Sequence, residues 1–166
     1  MQRILARGSL HSCRGCYSLC FSCLPEDACG PLCLQDVSVC APPQWEEAPC
    51  RDRRGLPLLV TVPLMAQVQD SAGRRFCLPT ALKEELLLRF LCAPGECWRG
   101  QPVVQAAVRL AGRRCSFSCD RCEAPLEVFI EGYLVAPCSL RDAEQPCCPR
   151  PLPWYPEPIC CNPCRD

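Results

Sequence analysis

The chain has 166 residues, about one domain's worth, with 20 cysteines, 19 prolines and Lys+Arg balanced against Asp+Glu at 18 each. A cysteine share of about 12% exceeds the roughly 8–10% above which a disulfide scaffold becomes the leading compositional reading. The balanced charge excludes a whole-molecule field that would gather nucleic acid or an anionic membrane.

The first stretch, MQRILARGSLHSC, has arginines but no uninterrupted apolar run and no small-residue cleavage pattern, so no export signal is visible in it. Residues 1–54 hold eight cysteines, at 13, 16, 20, 23, 29, 33, 40 and 50, among the breakers Gly30-Pro31, Pro42-Pro43 and Pro49. This pattern predicts a cysteine-rich, irregular N-terminal arm. Within it, Cys13, Cys16, Cys20 and Cys23 recur at i, i+3, i+7 and i+10, which would also line one face of a short helix over 12–24.

From Leu58 the pattern turns to strict alternation. Leu58, Val60, Val62, Leu64, Ala66 and Val68 mark one face, which predicts a strand whose apolar run is broken by Pro63 and is too short to span a membrane. Asp70-Ser71-Ala72-Gly73 has turn chemistry, and the extended pattern resumes at Arg74, so a hairpin follows. Residues 80–92, TALKEELLLRFLC, satisfy both helical and period-2 spacing, and the neighbouring strands favour a strand. VVQAAVRL (103–110) and LEVFIEGYLV (126–135) alternate in the same way, and RRCSFSCDRC lies between them as a turn-like insert. Together these predict a mainly β, antiparallel, meander or sandwich-like domain over 55–138. From Pro137 to Asp166, eight prolines and six cysteines predict an extended Pro/Cys-rich tail, assigned to 139–166.

The cysteines are the candidate functional residues. The run C-x2-C-x3-C-x2-C at 13–23 contains two zinc-knuckle spacings, but the three residues between them leave little room to wrap one ion. Disulfides or intermolecular links are the stronger reading for Cys13, Cys16, Cys20 and Cys23. Cys92 and Cys97 bracket a turn as an internal staple would, and Cys115 with Cys119 or Cys122 forms a second such set. Cys115, Cys119 and Cys122 would alternatively share a zinc ion if Cys77 or Cys97 supplied a fourth sulfur. The adjacent pairs Cys147-Cys148 and Cys160-Cys161 rarely close on each other without strain and so look outward to separate partners, and Cys164 is a further candidate for linking.

Little here builds a catalyst. His11 is the sole histidine, the acidic pairs fit solvated faces, and no glycine-rich phosphate loop or nucleophile elbow is present. The expectation is therefore a non-enzyme without a small-molecule substrate.

LPLLVTVPLMAQVQDSAGRRF, ECWRGQPVVQAAVRL and LEVFIEGYLVAPC resemble the small cysteine-rich spore-surface proteins of Clostridia and the SPOCS-type β domain of spore-coat morphogenesis proteins. The cysteine-rich arm and the proline–cysteine tail depart from the SPOCS-type pattern. The resemblance implies a structural protein of the spore coat or exosporium. Such a protein is made in the reducing mother cell without a signal peptide and is oxidised after release, when it links to itself and to other coat proteins. That history would reconcile abundant cysteine with the lack of a visible export signal. The rival readings are a thiolate protein that stores or senses zinc or copper, and a secreted disulfide-rich ligand.

Overall fold

The computed structural model describes residues 2–49, 54–91, 100–112 and 115–137. They form one antiparallel sheet of eight strands: β1 (Gln2–Cys20), β2 (Cys33–Val39), β3 (Gln44–Glu47), β4 (Gly55–Gln69), β5 (Arg75–Phe90), β6 (Gln101–Leu110), β7 (Cys115–Ser116) and β8 (Arg121–Pro137). The sheet order is β6-β8-β1-β5-β4-β2-β7, with β3 on the free part of β4. The sheet curls into a half-barrel, and β2 returns to within 8 Å, Cα to Cα, of β6.

The mainly β, antiparallel class expected from the sequence is what the fold has. Three parts of the expectation are corrected. Of the expected arm over 1–54, the described residues 2–49 are not detached and irregular, because β1, β2 and β3 belong to the same sheet. No helix forms over 12–24, where β1 runs to Cys20 and the chain then continues without regular structure. Chain order is also not that of a simple meander. β1 is inserted between β5 and β8, and pairs with β8 from Gln2↔Pro137 to Cys20↔Arg121. The Pro/Cys-rich tail, 139–166, lies outside the described residues.

β4 shows why the alternation was decisive. Leu58, Val60, Val62, Leu64, Ala66 and Val68 are all fully buried and belong to one core cluster with Leu126, Val128, Ile130, Leu86 and Leu88. Residues 80–90 are strand rather than helix, since β4 pairs with β5 without a break from Gly55↔Arg89 to Gln69↔Arg75. Burial of Leu78, Leu82, Leu86 and Leu88 follows from that register, and it outweighs the helix propensity of Ala, Leu, Lys and Glu.

Three prolines inside strands sit where no ladder donor is needed. A residue's N–H and C=O point to the same neighbour in an antiparallel pair. The Pro63 carbonyl accepts from Cys40 N (3.1 Å), Pro57 from Ala48 N (3.0 Å) and Pro125 from Ala111 N (2.8 Å). In each case the ring nitrogen faces the end of a neighbouring strand. Pro63 marks the place where the partner of β4 changes from β2 to β3, so it does not interrupt the strand.

The β4–β5 turn is held by Asp70, the one buried charged residue among the described residues. Its carboxylate accepts from the backbone N–H groups of Cys29 (3.0 Å), Ala72 (3.0 Å) and Arg74 (2.8 Å), and from Arg74 Nε (3.0 Å). Arg74 also donates to the Asp27 carbonyl, and Ser71 N donates to the Cys29 carbonyl at 2.9 Å. The loop between β1 and β2 is thereby pinned to the hairpin tip. Gly73, at φ 82, supplies the left-handed residue that the turn requires.

Candidate functional site: a thiol-bearing end of the half-barrel

Strand register gathers cysteines from distant parts of the chain. Cys20 ends β1 and Cys122 stands next to the start of β8, opposite Leu19. Cys33 begins β2 opposite Ser116, and Cys115 of β7 faces Leu34. Cys77 lies near the start of β5, and Cys29 is fixed beside the Asp70 turn. Cys23 and Cys119 occupy the loops at the same end, where Phe21 N donates to the Asp120 carbonyl at 2.9 Å and the Phe21 and Phe117 rings lie 4.8 Å apart. Cys16 sits further up β1, opposite Pro125, and Cys40 stands apart beside Pro63.

Exposure divides these thiols into two classes. Cys16, Cys20, Cys23, Cys29, Cys77 and Cys119 are exposed, whereas Cys33 and Cys115 are half-buried and Cys122 is buried in the core. Cys122 hydrogen-bonds Cys115, and burial, reinforced by the nearby Cys115, Cys33 and Glu123, pushes its thiol up to about 12. Burial also raises the Cys115 thiol, with Cys33 and Cys16 adding to the effect. Cys115 and Cys122 are thus held as neutral thiols near neutral pH.

The structure separates the members of the sequence-derived sets. Cys13 lies in the bulge between Ser12 and Gly15, its Sγ 3.4 Å from His11 Nε2, and Cys16 lies beyond it. Cys16 Sγ lies 3.7 Å from a Glu123 carboxylate oxygen. Of Cys115, Cys119 and Cys122, the first and last meet, while Cys119 is exposed at the tip of the β7–β8 turn with φ 55. That trio does not converge on one point. Cys77 is exposed on β5 opposite Gln67, and Cys97 lies outside the described residues. Cys92, Cys147, Cys148, Cys160, Cys161 and Cys164 also fall outside them.

His11 sits in the middle of β1, paired with Phe129, rather than in a loose arm. Its Nε2 is 3.8 Å from Glu127, and the His11, Cys13 and Glu127 donor atoms lie within 4.8 Å of one another. Glu127 is also engaged by Arg109 Nε and is half-buried, while His11 and Cys13 are exposed. Sequence reasoning missed Cys33 as a neighbour of Cys115 and Cys122. Some 80 residues separate them, and the β2–β7 pairing alone brings them together.

Comparison with protein-family models, curated proteins and solved structures finds no match. No helix among the described residues is long and apolar enough to cross a membrane.

Proposed function

We propose that this chain is a structural building block of a surface assembly, joined to further copies and to other proteins by disulfides formed at its thiol-bearing end. The observation that carries the reading is the convergence of the exposed thiols Cys20, Cys23, Cys29, Cys77 and Cys119 on one end of the half-barrel. An internal disulfide needs Cα atoms about 4.4–6.8 Å apart with suitably directed Cβ bonds. Thiols that project outward from separate strand ends and loops meet that condition most readily with a neighbouring molecule. In each link two thiols lose two protons and two electrons to an oxidant such as dioxygen, and one S–S bond forms.

The proposed setting is the spore coat or exosporium, after synthesis in the reducing mother cell. The resemblance to cysteine-rich spore-surface proteins and the abundance of cysteine support this setting. On this reading the sheet supplies shape and the cysteines supply covalent continuity, with no catalytic residue required.

Native mass spectrometry of anaerobically purified protein, repeated after air oxidation, tests the proposal. Disulfide-linked multimers that dithiothreitol returns to monomer are the expected result. Metal bound at a fixed integer ratio, with monomer persisting after oxidation, would overturn it in favour of a thiolate metal protein.

A further inference from the structure

β7 occupies an unusual place in the topology. It is the last strand in the sheet order, paired to β2 through Cys33↔Ser116 and Leu34↔Cys115, yet in the chain it leads directly into β8, the second strand of that order. The connection is a tight turn in which Ser118 and Arg121 exchange backbone hydrogen bonds of 2.8 and 3.1 Å, with Cys119 at φ 55. The β7–β8 hairpin therefore bridges the two sides of the half-barrel. Beyond the short β2–β7 ladder, it is tied to its surroundings by Phe117 N to the Leu32 carbonyl at 3.2 Å and by the Phe21–Phe117 ring contact.

The two thiols of this hairpin that face the core are Cys115 and Cys122. They belong to the same apolar cluster and hydrogen-bond each other. Cys119, between them in sequence, is turned out to solvent.

We propose that Cys115 and Cys122 form an intramolecular disulfide on oxidation and that this bond locks the closure of the half-barrel. The inference deepens the cross-linking reading by dividing the thiols: the inner pair closes on itself, and the outer ones remain for neighbouring molecules. Cys115, being half-buried, meets the oxidant first. With a small-molecule disulfide, the Cys115 sulfur forms a mixed disulfide and releases one small thiol. Cys122 then displaces the second small thiol as the Cys115–Cys122 bond forms. One external S–S bond breaks, one internal S–S bond forms, and the two protein thiol protons leave on the two small thiols.

The test uses the full chain, reduced anaerobically, then oxidised with glutathione disulfide at high dilution and digested with trypsin. Cleavage after Arg114 and Arg121 leaves the Cys115 and Cys122 peptides joined only by a disulfide. The linked pair is expected in the wild-type chain and in Cys119→Ser, and is expected to vanish in Cys115→Ser. Oxidation should raise the thermal midpoint of the monomer by several degrees in the first two and leave Cys115→Ser unchanged. Recovery of Cys122 as a thiol, or linked to Cys33 or to a second chain, would overturn the proposal. Multimer formation is scored separately at high concentration, so failure of the internal lock and failure of intermolecular linking are distinguishable.

Discussion

Gly8 of β1 stands directly opposite Gly132 of β8, and neither position has room for a methyl group. A Cβ on Gly8 would overlap the Leu87 carbonyl oxygen of β5, and one on Gly132 would lie 2.7 Å from Leu86 Cδ2 and 2.8 Å from Leu88 Cδ2. The pair marks where β1, β8 and β5 crowd together as the sheet curls. Gly8→Ala is expected to cost about 1–3 kcal/mol or more, because the obstructing atom is backbone. Gly132→Ala should cost less, since side-chain methyl groups can shift. Denaturant midpoints of the two variants check the order, and equal, negligible losses would contradict the tight curl.

Asp70 gives an acid-side prediction. The hydrogen bond from Cys29 N, with further help from Arg74, holds its carboxyl below the usual carboxylate range, against the opposing effect of burial. A depressed folded-state value means that its contribution is present above the unfolded value, about 3.9, and is lost as pH falls through the lower folded value. Asp70→Asn should therefore lower the thermal midpoint at neutral pH by several degrees and reduce the loss of stability on acidification below about pH 4. Thermal melts across that range measure both effects. A variant with an unchanged acid profile would remove Asp70 from the explanation.

Cys122 and Tyr133 act at the other end of the pH scale. Burial raises both, and for Cys122 the shift is from 9.0 to about 12. A raised acid is favoured in its neutral form by folding, so the contribution is complete below the unfolded value and disappears as pH rises through the folded one. Alkaline destabilisation should begin near the ordinary thiol range. In Cys122→Val, which keeps the site apolar and strand-compatible, that first loss should shrink, leaving the part due to Tyr133 at higher pH. Urea titrations at stepped alkaline pH would show the difference.

Thiol accessibility can be mapped directly. Brief alkylation of the folded, reduced chain should modify Cys20, Cys23, Cys29, Cys77 and Cys119 well before Cys122, whose side chain is buried. Peptide mass spectrometry gives the order. Early modification of Cys122 would mean that the end of the barrel opens readily in solution.

The parts of this fold that could be read in the sequence are those where one physical demand dominates. β4, with six buried positions at period 2, and the Asp70–Gly73 turn are of that kind. β1 was illegible because its burial phase is broken by bulges at Ile4/Ala6 and Ser12/Gly15. Its outward positions are filled by cysteine, serine and arginine, not by the β-branched residues that advertise a strand. The spacing of Cys13, Cys16, Cys20 and Cys23 then imitated a helical stripe. The thiol-bearing end was half legible: each cysteine could be counted, but the meeting of Cys33 with Cys115 and Cys122 depends on a two-residue ladder between distant segments.

The pairing of β1 with β8 also sets an order of events during synthesis. β1 leaves the ribosome first, yet its principal partner follows β2 to β7, and such a non-local ladder closes late. Until then Cys16 and Cys20 lie on the part of β1 that has no ladder with β5, alongside the other nascent thiols. A premature disulfide in that interval would tie β1 to the wrong neighbour before β8 arrives. The topology thus favours oxidation only once the chain has closed on itself.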